Sequence, residues 1–296
     1  MSTAPAAAAA APAVAETPAA ERANPSAAGR RRTAVVLDLP PGPMLPPETQ
    51  DWITEGLAAT LPGLRMRELF RLRRAEMLTA ADHVIVALDR SHDQVVGLLT
   101  SRWTMLADGR ECLHVMVQFV GEQYRHGAVF LQSWATHFDR LLASGRRFPA
   151  LIALKTYNPV VHCAMGAFSR LPDVRMYPPI GSTPTDDDED LAAAVSAAVA
   201  PGTPFDPRTG VLSGIGRPLD LYRQRPMSSD QPTNEYFARH TVPGDRILCV
   251  LAVPTEAGRD AILGALGVRP AAPWRPGADR DPSETGTRGH RGTVSP

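Results

Sequence analysis

The chain has one lysine, three cysteines and no net charge, and each scarcity excludes something. Cys112, Cys163 and Cys249 are odd in number and far apart. That spacing gives neither a disulfide framework nor a zinc motif, so a reducing cytoplasm is the expected compartment. Thirty-one basic residues balance 31 acidic ones, which argues against a general nucleic-acid binder. No apolar run approaches the ~18 residues of a membrane span, so no membrane association is expected. Lysine is nearly absent: Lys155 stands alone among arginines.

Residues 1–32 are rich in Ala and Pro and end in Arg30-Arg31-Arg32, without the apolar core of a secretory signal. They read as a disordered tail, as does 269–296. Between them, 33–180 reads as one α/β domain and 181–268 as an extension packed on its sheet or continuing it. At 296 residues the chain is long enough for a sizeable core.

The most patterned stretch runs from Glu111 to Phe168. Cys112 to Val120 is almost wholly apolar, as a central strand requires, and breaks into Gly121-Glu122-Gln123-Tyr124-Arg125-His126-Gly127. A helix is predicted from about Tyr124 to Ser144, with Phe130, Trp134, Phe138, Leu141 and Leu142 on its core face. Pro149 to Leu154 reads as a strand covered on both faces. Asn158-Pro159 then opens another helix, Asn as cap and Pro in the first turn.

These residues resemble the GNAT acyltransferase superfamily. Val120-Gly121-Glu122-Gln123-Tyr124-Arg125 is similar to its V-x-P-E-Y-R entry into the acyl-CoA loop. Asn158-Pro159-Val160-Val161 followed by Gly166-Ala167-Phe168 is similar to its N-P-x-A…G-F helix, and Val95-Val96-Gly97 to the preceding strand. The resemblance spans roughly residues 82 to 180, and the order of the short motifs carries it. It implies a mixed, twisted sheet with flanking helices and an acyl-CoA donor, such as acetyl-CoA. It places Val120, Arg125, His126, Gly127, Ala128, Lys155 and Asn158 at the donor, with backbone N–H groups at the helix start cradling its phosphates. The chain departs from the pattern twice. Its loop is one residue short, with Phe130 near a position that favours a small residue, and Met165 stands where the family often carries a proton-donating Tyr.

Acyl transfer to an amine needs a proton acceptor and an exit for the thiolate. Simple strand alternation puts His114, Met116 and Gln118 on one face. His114 is then the first candidate base and Glu111 the second; near the thiolate Tyr157 is the candidate, with His162 and Cys163 also close in sequence. The alternative for His114 is a hydrogen-bonded structural histidine. Arg65, Arg67, Arg71, Arg73 and Arg74 make a basic helix, either a solvated face or a landing site for an acidic acyl carrier protein. Thr185 to Asp190 reads as the acidic first turn of a helix rather than a metal site. Two classes of function follow: an acyltransferase acting on a small-molecule amine, or a binding or assembly module that keeps the fold without the catalysis.

Overall fold

The computed structural model describes residues 34–90, 93–125 and 128–268. Every described residue belongs to one compact unit within Arg32–Pro296. The expected tails 1–32 and 269–296 lie outside the described residues.

The elements run β1 (Ala34–Leu39), α1 (Pro47–Thr60), α2 (Met66–Arg74, continued by a π-helical turn, Ala75–Thr79), β2 (His83–Asp89), β3 (Gln94–Met105) and β4 (Glu111–Val120). After a 3-10 turn at Glu122–Tyr124 come α3 (Val129–Ala143), β5 (Leu151–Thr156), α4 (Pro159–Gly166), β6 (Arg175–Tyr177) and α5 (Asp186–Val199). The chain ends with β7 (Phe205–Asp206), β8 (Val211–Leu212), α6 (Gln231–His240), β9 (Arg246–Ala252) and α7 (Glu256–Ala265). The strands form one mixed sheet in the order β1-β2-β3-β4-β5-β9-β8-β7, with β6 also on β9. Among the described residues, β4–β5 is the one parallel pair and the other pairs are antiparallel. This is the mixed sheet with flanking helices that the resemblance implies. The C-terminal stretch supplies β9, hydrogen-bonded along the whole of β5.

Helices cover both faces. On one, Trp134 and Phe138 of α3 pack with Leu113, Val115, Ile152 and Leu154, joined by Met165, Phe237 and Ile262. On the other, Ile53 and Leu57 of α1 and Phe70 of α2 pack with Leu98 and Val117. Below them, Val195 of α5 meets Cys112, Ala153 and Val250. The predicted helix after β4 starts five residues late: Glu122–Tyr124 is a separate 3-10 turn, and Val129 is the first residue of α3. Thr185 caps α5 in a capping box with Asp188, so Asp186 to Glu189 are its acidic first turn. No helix among the described residues is long and apolar enough to cross a membrane.

Candidate active site

The site begins with a fault in β4. Thr100 and Ser101, adjacent on β3, pair with Val117 and Val115, so Met116 is an extra residue on β4. Such a bulge bends the strand and resets its alternation. The single-face reading of His114, Met116 and Gln118 is therefore corrected. Leu113 and Val115 face α3, whereas Val117, two residues past Val115, packs with α1 and α2.

The bulge also ends the parallel pairing. β4 and β5 are in register only at Leu113–Ile152, His114–Ala153 and Val115–Leu154. Past that point they separate, and a cleft opens between Val115–Phe119 on one side and Leu154–Tyr157 on the other. Arg73, Glu76 and Met77 line it from α2 and the turn beyond, Arg217, Leu221 and Tyr222 from the loop before α6, and Arg246 from β9. Backbone groups on β4 that would have paired with β5 are left to face this cleft.

Lys155, next to last in β5, lies inside the cleft, only 10% exposed, and its Nζ donates to the Val199 carbonyl at 2.9 Å. Glu76 Oε1 is 3.8 Å away. Burial pulls the Lys155 pKa down to about 8; Glu76 opposes this, and Arg73, Arg102 and Arg246 reinforce it. Burial pushes the Glu76 carboxyl up, but its hydrogen bond from Arg73, with Lys155 and Arg102 nearby, leaves it below the ordinary value. His114 lies buried beneath, with both ring nitrogens unpartnered. Burial, then Lys155, Arg102 and Arg73, hold its pKa well below that of a free histidine, so it is neutral. Gln118 lines the cleft with both side-chain polar atoms buried and unpartnered. Orphaned groups of this kind are what a polar ligand satisfies.

Tyr157 forms the opposite wall, its ring 6.0 Å from that of Tyr222 and beneath the guanidinium of Arg246 at 5.7 Å. Burial raises the Tyr222 phenol, while Arg246, Arg125 and the Asn158 side chain pull it the other way. Asn158 caps α4, accepting from the Val160 N–H at 3.0 Å.

Of the sequence candidates, Lys155 and Tyr157 line the cleft and His114 lies next to it. Glu111 does not reach it: it is exposed at the far end of β4 and pairs with Arg146 at 3.2 Å. Val120 packs with Val129 and Tyr124 where the chain leaves β4. Arg125 is half-exposed with Glu122 at 3.8 Å, and Ala128 precedes the first turn of α3. His126 and Gly127 lie outside the described residues. Phe130 packs against Trp134 at 6.4 Å and is not part of the cleft wall. Met165 is buried in the core beneath α4. Glu76, Gln118, Arg217, Tyr222 and Arg246 went unassigned to a site in the sequence reading, and Arg73 was read only as part of a basic helix face. They come from separate elements, and no local spacing joins them.

No family model matches the chain, and no curated protein matches it. Solved structures similar to part of it include a GNAT family acetyltransferase from Brucella melitensis in complex with acetyl-CoA. That likeness has 12% identity, 42% of this chain, 75% of the other and a TM-score of 0.31. A GNAT family N-acetyltransferase from Escherichia coli in complex with CoA gives 16% identity, 46% and 68% coverage, and 0.33. An aminoglycoside acetyltransferase from an uncultured soil metagenomic sample, in complex with sisomicin, gives 14%, 47% and 88%, and 0.32.

Proposed function

We propose that the chain is an acyltransferase that moves an acyl group from acyl-CoA to a small-molecule amine. The observation that carries this reading is the parting of β4 from β5 at the Met116 bulge. It leaves an extended backbone edge beside a cleft that holds an amine, a phenol and an orphaned amide. An extended pantetheine arm has alternating amide groups and pairs with such an edge as a strand does. Ala128 leads into α3, whose N-terminal N–H groups suit the donor's phosphates.

In this reading the acceptor amine attacks the thioester carbonyl, a C–N bond forms and the C–S bond breaks. The proton leaving nitrogen goes to Lys155, whose pKa of about 8 keeps a useful neutral fraction near physiological pH. Tyr157 gives a proton to the departing thiolate and regains one from solvent, so the net transfer is from nitrogen to sulfur. His114 is the weaker base, because an imidazolium there would face Lys155, Arg102 and Arg73.

An acidic carrier protein is the less supported donor. On α2 and at its N-cap, Arg67 pairs with Glu55, Arg74 with Asp51 and Arg65 with Asp220, and Arg73 turns into the cleft toward Glu76. The test is release of free CoA thiol from acetyl-CoA with pooled amines. Amine-dependent release that Lys155→Met lowers by ~100-fold supports the reading. CoA binding without turnover on any amine would favour the non-catalytic binding module.

A further inference from the structure

The cleft wall is lopsided in charge. Arg73, Lys155, Arg217 and Arg246 line it, and Glu76 is its only carboxylate. Glu76 is already committed to Arg73 and stands 3.8 Å from Lys155. Arg246 is the unexplained cation. It is mostly removed from water, and burial lowers its pKa, yet among the described residues no carboxylate comes within 4 Å of it. The adjacent Asp245 uses its two carboxylate oxygens elsewhere, accepting from the N–H groups of Gly214 and Val242 at 2.9 and 3.0 Å. Among the described residues, the hydrogen bond of the Arg246 guanidinium goes to a backbone carbonyl, that of Asp245, at 2.6 Å from Nη1.

The place is shaped for the guanidinium. A Cβ on Gly216 would stand 2.2 Å from Arg246 Nη1, so glycine is what lets the side chain lie there. Tyr157 lies beneath it, and Arg217 follows Gly216 at the exposed rim. A desolvated charge without a counter-ion is costly, and a planar fork of N–H donors matches the two oxygens of a carboxylate or phosphate.

We propose that Arg246, with Arg217, binds an oxyanion of the acceptor, so that the acceptor is an amine also carrying a carboxylate or phosphate. This rests on the acyltransferase reading for the word acceptor; the oxyanion site itself does not. Glu76 then receives the amine end and Arg246 the anionic end, which gives the cleft a direction for its substrate.

The experiment uses the full chain and two probes, sodium malonate and inorganic phosphate, with sodium chloride at matched ionic strength as the reference. The thermal midpoint is followed with and without saturating CoA. At least one oxyanion should raise Tm by roughly 2–5 °C over chloride. Arg246→Gln should lose most of that rise, and so should Gly216→Ala, which displaces the guanidinium without removing it. Arg71→Gln, an exposed arginine outside the cleft, should keep it. The rise should add to that produced by CoA. Equal responses in the parent, Arg246→Gln and Gly216→Ala, or no response in the parent, overturn the proposal. An oxyanion effect abolished by CoA assigns Arg246 to the donor's phosphate and overturns it as well. No effect of CoA, with the Arg246-dependent oxyanion effect intact, defeats the acyltransferase reading and leaves the oxyanion site standing.

Discussion

Lys155 Nζ donates to the backbone carbonyl of Val199 at 2.9 Å, which ties the end of β5 to the end of α5 and holds the only lysine of the chain inside the cleft. Its pKa is lowered from 10.5 to about 8. Between those values the unfolded chain carries a proton there that the folded chain does not, so stability rises with pH across the window. Below pH 8 the full cost of burying the ammonium is present. Lys155→Met should therefore stabilise the fold at pH 7, by roughly 1–3 kcal/mol, with the gain shrinking as pH rises from 8 toward 10.5. Denaturant unfolding at pH 7 and 10 checks this; a gain that does not depend on pH would show that the lysine is not desolvated.

The same group sets the pH profile of turnover. If neutral Lys155 accepts the amine's proton, kcat should climb with pH and level off above about 8. Lys155→Arg keeps the charge but cannot give up a proton, so kcat should fall ~100-fold while CoA binding stays within about twofold. His114→Asn should cost less than Lys155→Arg. The reverse order would return the role of base to His114.

Four histidines, His83, His114, His137 and His162, have pKa values lowered primarily by burial, His137 to about 3. Below pH 6.5 the unfolded chain protonates them and the folded chain resists, so stability falls as the solution is acidified. His137 accounts for part of that slope. It is fully buried with Ser101 Oγ 3.0 Å from Nε2. His137→Gln should flatten the decline between pH 6.5 and 4.5, as read from Tm. An unchanged slope would place the acid sensitivity elsewhere.

Cys112 and Cys249 are buried, and burial raises both thiols, Cys112 to about 12. Only the thiolate reacts readily. A thiol reagent at pH 7.5 should modify at most one cysteine of the native chain, the half-exposed Cys163, and all three after denaturation. Rapid labelling of Cys249 in the native state would contradict its place at the centre of the sheet.

The sequence reading located most elements because their signals are local. The Asn158 cap of α4 and the unbroken apolar runs of β4 and β5 are each written in a few adjacent residues. The start of α3 was misplaced because Tyr124, although apolar enough to begin a helix, belongs to a separate 3-10 turn. The two-residue strands β7 and β8 were missed because no periodicity exists at that length. The site was legible only in part. Lys155 stood out by composition, and Tyr157 by its place before the α4 cap. The Met116 bulge was invisible, since any residue of an apolar run can be the extra one, and it alone undid the face assignment of Gln118. Arg246 and Gly216 meet across the fold through the loop before α6, a relation that strand and helix patterns do not encode.

The central claim is that the parted edge of β4 receives the donor. Hydrogen exchange of the backbone amides from Met116 to Val120, with and without saturating acetyl-CoA, tests it directly. These amides have no β5 partner past Val115, so bound donor should slow exchange in this segment by about tenfold or more, with β2 unchanged as an internal reference. Exchange that is identical with and without acetyl-CoA at every concentration reached would contradict the account.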